Sequence, residues 1–402
     1  MHARGTYMPS KSTSNDSSFG PTALWLAAGF ILAGLGTVLL GPILPILLHQ
    51  WQLTDAQGGV LISAKFLGAF LGGITVLPRL RLAILTGCVL CCCGFGAFAF
   101  SHSLAPAAIA LFFAGLGLGQ LIASTNILVG RRFRAHTGSA LSSLNTFWSL
   151  GAVLTGILAA ALLPRFGIRN PVVSFATLFL VIGLGGFLNT AHSDSPGATS
   201  TTASAPTALP RLILLKFGLF LFLYGGLETC LANWLTTYTI RFSDARFLAG
   251  QSALILLWIS LTVGRAVSAA ILRWLRESTL QRIGLACAAA LIVALCFTSS
   301  TARISVICIG LGLSLAPFFP ATFALLIRNN PSAREAGAIL AVSGLGAALF
   351  PWMMGVISTH TGSLRNAMIV PFALALGLLF LSFWRVSSEA SPSAEPLPQL
   401  VA

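Results

Sequence analysis

Twelve predominantly apolar runs follow one another along this chain, each about the 20 residues that a helix needs to cross the hydrocarbon core of a bilayer. They cover roughly residues 22–48, 57–77, 82–101, 106–129, 138–163, 171–190, 211–240, 248–272, 280–300, 304–327, 335–359 and 364–384. Inside lipid every backbone N–H and C=O must be satisfied by the protein itself, which makes segments of this length helical. The expected fold class is an all-α membrane protein with twelve transmembrane helices. Composition agrees. Of 402 residues, 56% are hydrophobic and only 8% charged, against about 25% charged in a soluble domain.

Most connections are short. The exception, residues 191–210, "AHSDSPGATSTTASAPTALP", has no periodicity and reads as a cytoplasmic linker. It divides the chain into a six-helix bundle over 21–190 and a second over 211–386. Residues 1–20 and 387–402 are Ser-rich, polar and read as disordered tails. The two halves repeat one another. "GLGLGQLIASTNILVGRRF" in the fourth run parallels "GLGLSLAPFFPATFALLIR" in the tenth. At an offset of 199 residues, the fifth and eleventh share Gly138/Gly337, Leu141/Leu340, Leu150/Leu349 and Gly156/Gly355. With both termini cytoplasmic, fifteen Lys/Arg fall on the inner side and six on the outer. That bias orients a protein of the cell inner (plasma) membrane with its termini inside.

Several function classes are excluded. The net charge of +14 sits in loops between apolar runs, so it orients the chain in a bilayer and no nucleic-acid partner is expected. The eight cysteines all lie in apolar segments and read as small buried hydrophobes. "CVLCCC" has no His or acid beside it to complete a metal site. His49, His102 and His360 stand singly near helix ends. No metal or cofactor is expected, and no enzyme chemistry.

A family resemblance is specific at residues 41–72, "GPILPILLHQWQLTDAQGGVLISAKFLGAFLG". This stretch resembles the first two helices of fucose-permease-like transporters, a sugar:proton symporter branch of the major facilitator superfamily. "GLGLGQLIASTNILV", "LNTFWSLGAVLTG", "YGGLETCLANWLTTY" and "GSLRNAMIVPF" are similar to later parts of that branch, so the resemblance covers most of residues 22–384. It implies two six-helix bundles that rock about a central site. The pattern departs in three places. The loop after the second helix lacks the usual Asp, the first helix has no acid, and Ile122 stands where better-known members carry an acid four residues before Asn126.

Glu228 is the one acidic residue deep inside an apolar run. A buried charge there needs a partner, a cavity or a proton, which marks an intramembrane acid as functional by default. Lys65, roughly 12 Å from the outer end of the second helix at 1.5 Å per residue, is the expected counter-charge in one conformation. Glu228 is then the proton-coupling group. Arg265 reads as a gate contact or interfacial anchor near the inner end of the eighth helix.

A sugar site needs aromatic faces and hydroxyl-binding groups around one cavity. Tyr224 and Glu228 are four apart and share a helix face. Asn233, Trp234, Gln120, Asn126, Asn145, Trp148, Trp258, Phe319 and Trp352 are the further candidate lining residues, with Ser149 beside Trp148. Pro42, Pro45, Pro317, Pro320 and Pro351 predict helix kinks. The expected function is alternating-access transport of a monosaccharide or similar small hydroxylated solute, by proton-coupled uptake, by a monomer in the lipid bilayer. Proton-coupled efflux of a hydrophobic drug-like compound is the alternative.

Overall fold

The computed structural model describes residues 21–132, 137–189, 209–244, 247–272, 274–329 and 333–384. The expected tails, and all but the last two residues of the expected linker, lie outside the described residues. Among the described residues twelve helices are long and apolar enough to cross a membrane. In chain order they are span 1 (Leu24–Gln50), span 2 (Asp55–Ile74), span 3 (Leu80–Ala99), span 4 (Leu104–Gly130), span 5 (Leu141–Phe166) and span 6 (Arg169–Leu188). The second half comprises span 7 (Arg211–Phe242), span 8 (Ala249–Ser268), span 9 (Glu277–Cys296), span 10 (Thr301–Thr322), span 11 (Gly337–Thr361) and span 12 (Leu364–Leu381). Successive spans alternate in direction. The start of span 1 and the end of span 12 therefore share one end of the molecule, called here the terminus side. The opposite end is the far end.

The repeat read from the sequence reappears in the packing. In the first half spans 1 and 5, 2 and 4, 3 and 4, 3 and 6, and 1 and 6 are in contact; in the second half the same pairs recur six spans later. The halves meet through spans 2 and 11, 5 and 8, and 1 and 7. Close approach inside a half is made by small residues. A methyl group on Gly115 or Gly119 of span 4 would overlap the Lys65 or Ala69 carbonyl oxygen of span 2. Backbones that touch in this way gain van der Waals contact that larger side chains would forbid.

Three spans are interrupted where proline removes a backbone donor, span 12 among them, between helices Leu364–Ala367 and Ile369–Leu381 ahead of Pro371. Span 1 breaks between helices Pro21–Val38 and Leu40–Gln50. Span 10 breaks between Thr301–Leu315 and Phe318–Arg328. Span 11 continues as one helix, Ala333–Thr361, through Pro351.

The apolar cores show how the halves are disposed. Val38, Leu44, Leu48, Ile62, Phe66 and Ala152 of the first half are part of the core of the second. On the terminus side Phe30, Val129 and Leu144 form a cluster of their own. The halves thus share apolar core toward the far end, and spans 2 and 11 stay in contact toward the termini, where Gly344 meets Phe70.

Candidate functional site

Glu228 sits midway along the helix Arg211–Phe242, between buried Leu227 and Thr229. Its carboxylate Oε1 lies 3.5 Å from Nη2 of Arg265 on span 8. Nη1 of the same guanidinium donates to the Ser149 hydroxyl of span 5, at 2.8 Å. One arginine therefore links an acid in its own half to a hydroxyl in the other. Ser149 is buried, whereas Glu228 and Arg265 keep 19% and 20% of their side-chain surface open. The pair sits between the halves and is not wholly sealed among apolar neighbours.

Aromatic rings wall this pair. Tyr224, one turn before Glu228, stacks on Phe318 of the broken span 10 with centroids 4.6 Å apart. Its hydroxyl donates to the Leu315 carbonyl at 3.3 Å, at the break itself, and the phenol also neighbours Glu228 and Arg265. Trp148 of span 5 meets Trp258 of span 8 edge to face at 5.5 Å, again across the halves. Two donors in this region have no partner: Nε of Arg265 and Nε1 of the buried Trp258.

The remaining expected site residues divide. Lys65 does not meet Glu228. Span 2 packs against spans 4 and 11, and Lys65 donates to the Thr37 carbonyl at 2.5 Å, with its ammonium 4.7 Å from the Phe66 ring. The physical reason is local: the break in span 1 offers an acceptor at hydrogen-bond range. Arg265, read as a gate contact or an anchor, holds the position expected of Lys65. Gln120 turns away from the halves' interface toward Thr86 of span 3, with 3.3 Å between the side-chain oxygens. The indole of Trp234 is fully buried and donates to the Pro351 carbonyl at 3.0 Å, tying span 7 to span 11. Asn233 is buried and donates to the Thr229 carbonyl of its own helix. Asn145 likewise bonds back to Leu141. Asn126 is half-buried, on the face of span 4 that carries Ile122 and Val129. Phe319 packs on the second-half core. Trp352 faces outward, 39% exposed, in an apolar groove with Val60, Leu67 and Leu349. Of the candidates, Glu228, Tyr224, Trp148 and Trp258 are brought together.

One constellation was missed in the sequence. At the far end Arg241 of span 7 grips Asp55 of span 2 with both terminal nitrogens, at 2.6 and 2.7 Å. Ser358 of span 11 donates to the same carboxylate at 2.5 Å. Asp55 stands in the first turn of its helix, behind the Thr54 capping box, and Arg241 in the last turn of its own. Each charge complements the helix dipole beside it. That placement was the available signal: an acid and a base at helix ends on one side of the membrane.

The family model described as Major Facilitator Superfamily matches residues 26–342. The chain is similar to the niacin transporter NiaP of Acinetobacter baylyi, 28% identical over 156 residues, which are 37% of this chain and 36% of that one. The matched stretch thus spans little more than a third of that relative. It is also similar to the glucose/mannose transporter GlcP of Bacillus subtilis, 23% identical over 93% of this chain and 97% of that protein. Among solved structures, an inward-facing, unoccupied bacterial homologue of the human lysosomal transporter Spinster superposes with a TM-score of 0.74, at 14% identity, covering 91% of this chain and 97% of that one. The transporter FucP in its outward conformation gives 0.62 at 19% identity, covering 90% and 98%.

Proposed function

Because this chain belongs to the Major Facilitator Superfamily, we propose that it is a proton-coupled carrier of a small hydroxylated solute, a monosaccharide or a similar compound, working by alternating access. The observation that carries this reading is the Arg265 bridge. A carboxylate in mid-span is in contact with a cation that also holds the opposite half through Ser149. Taking up a proton neutralises Glu228 and releases its share of Arg265. The bond across the halves then changes with the protonation state, which is what coupling requires.

The solute class rests on the residues around the Arg265 bridge and on the relatives. Half-buried Trp148, backed by the buried Trp258, suits the apolar face of a ring. Ser149 and Glu228 supply hydroxyl-binding groups. A relative that matches over nearly the whole chain is a glucose/mannose transporter. With both termini in the cytoplasm of the inner membrane, as the Lys/Arg bias favours, the terminus side is the cytoplasmic side of a monomer. The domain limits read from the sequence, 21–190 and 211–386, are the two rocking bodies of this mechanism.

The test is uptake of radiolabelled monosaccharides into proteoliposomes, with and without an imposed pH gradient. The wild type is expected to accelerate with the gradient. Glu228→Gln is expected to lose that response while keeping counterflow exchange. An unchanged gradient response in Glu228→Gln would remove Glu228 from coupling.

A further inference from the structure

We infer that the solute carried at this site bears a carboxylate, received by the guanidinium of Arg265 when Glu228 is protonated. The inference rests on the proton-coupled reading and narrows the solute to hydroxylated acids, of which sugar acids are the simplest class.

The chain contains its own standard for a structural arginine–carboxylate pair. Arg241 and Asp55 are engaged nitrogen for oxygen, at 2.6 and 2.7 Å, with Ser358 on the same carboxylate. Arg265 and Glu228 are not built this way. They touch at one point, 3.5 Å apart. Nη1 is given to a neutral hydroxyl and the buried Nε has no acceptor. An arginine fork is matched by a carboxylate that meets two of its donors at once, and this fork is not so matched. The indole N–H of Trp258 is also without an acceptor. Trp258 lies two turns from Arg265 on the same face of span 8. The unpartnered groups on this face of span 8 are donors, which an acceptor atom would satisfy; on span 7 the buried Asn233 Oδ1 is an unpartnered acceptor.

Charge balance leads to the same place. The charged and titratable groups facing Glu228 among the described residues are Arg265 from span 8 and the Tyr224 phenol of its own span. Span 5 presents Ser149, and the middles of spans 1, 10 and 11 carry no acid or base. Lys65 is turned to Thr37. Without solute and with Glu228 ionised, the pair sums to zero. A proton with a neutral solute leaves an uncompensated guanidinium at the loaded site, the costly condition for a buried charge. A proton with a monocarboxylate restores zero: Glu228 holds the proton, and Arg265 moves its hydrogen bonds to the solute.

The test compares matched acids and alcohols on the full-length purified protein: D-glucuronate against D-glucose, D-galacturonate against D-galactose, and benzoate against benzyl alcohol. Binding is measured by calorimetry at mildly acidic and mildly alkaline pH. The expected result is that at least one acid binds about tenfold or more tightly than its neutral partner, and that this affinity rises as pH falls. Glu228→Gln is expected to bind the acid at the wild-type acidic level at both pH values. Arg265→Gln is expected to lose the preference for the acid. The wild-type pH dependence needs no variant, so the inference stays testable if either variant fails to fold. Neutral partners binding as well as the acids, or no member of any pair binding, would overturn it. If neutral sugars are taken up under a pH gradient and the acids are not, the proton-coupled reading stands and the carboxylate falls. If an acid binds through Arg265 but uptake ignores the gradient, the coupling reading falls instead.

Discussion

The Lys65 ammonium donates to the Thr37 carbonyl, 2.5 Å away, beside the break in span 1. Gln251 of span 8 does the same for Pro42, at 3.1 Å. A buried ammonium or amide at membrane depth needs an acceptor, and carbonyls beside the break in span 1 supply one to each of two other spans. Lys65 thus ties span 2 to span 1 in this structure. Lys65→Gln, which keeps an N–H donor, is expected to stay close to wild type. Lys65→Met is expected to lose about 1–3 kcal/mol, the usual cost of an unsatisfied buried polar group. Thermal unfolding in detergent checks this. The pH response of transport is expected to be unchanged in Lys65→Gln; a lost response would return Lys65 to the coupling machinery.

The far end is held by charge. Hydrogen bonds to charged groups contribute about 1.5–3 kcal/mol each, and Asp55 accepts from Arg241 and Ser358 together. Asp55→Asn is expected to move the equilibrium tenfold or more toward a far-end-open form, since ~1.4 kcal/mol is a factor of ten. Spin labels at Ile109 and Phe297, exposed far-end positions in opposite halves, report this in a cysteine-free background. Wild type is expected to give one short-distance population, and Asp55→Asn a second, longer one. Identical distributions would show that the ion pair does not hold the far end shut.

Spans 2 and 4 supply a prediction of opposite signs. Gly115→Ala places a methyl group on the Lys65 carbonyl and must push the two backbones apart, so it is expected to lower the melting temperature. A methyl group on Gly96 of span 3 would meet nothing within 4 Å. Gly96→Ala is expected to be neutral or to gain up to about 1 kcal/mol from helix propensity. Equal melting of the two variants would show that the close approach in span 4 contributes nothing to stability.

The spans were legible because their cause is one-dimensional. A run of apolar residues long enough for the bilayer marks itself, and the seventh, read over 211–240, is Arg211–Phe242. The repeat was legible through glycines in the fourth and tenth, and fifth and eleventh, runs. The site was legible only in part. Glu228 declared itself by charge at depth, and Tyr224 by its spacing from Glu228. Arg265 did not, because three residues from the end of its span an arginine is ordinarily an interfacial anchor. Its reach to Glu228 depends on spans 7 and 8 packing together, a three-dimensional fact. The tryptophans make the same point. Trp148, Trp234, Trp258 and Trp352 are alike in the sequence; helix rotation leaves Trp148 half-buried against the buried Trp258 where the halves meet, Trp234 in the core and Trp352 outward.

The asymmetry between the members of the central pair gives a last test. Removing one partner from a buried pair costs about 3–5 kcal/mol, and the low end applies because each side chain keeps about a fifth of its surface open. The two single variants differ in what they leave behind. Glu228→Gln leaves a guanidinium, which cannot shed its charge at any accessible pH. Arg265→Gln leaves a carboxylate, which can take a proton and become neutral. Arg265→Gln is therefore expected to regain stability as pH falls and to lose it as pH rises, whereas Glu228→Gln stays destabilised throughout. The double variant, with no charge at the site, is expected to melt above Glu228→Gln at neutral pH. Melting curves of the three variants at acidic and neutral pH decide the matter. If Arg265→Gln showed no recovery in acid, or the double variant melted no higher than Glu228→Gln, the two groups would not be energetically paired, whatever their separation.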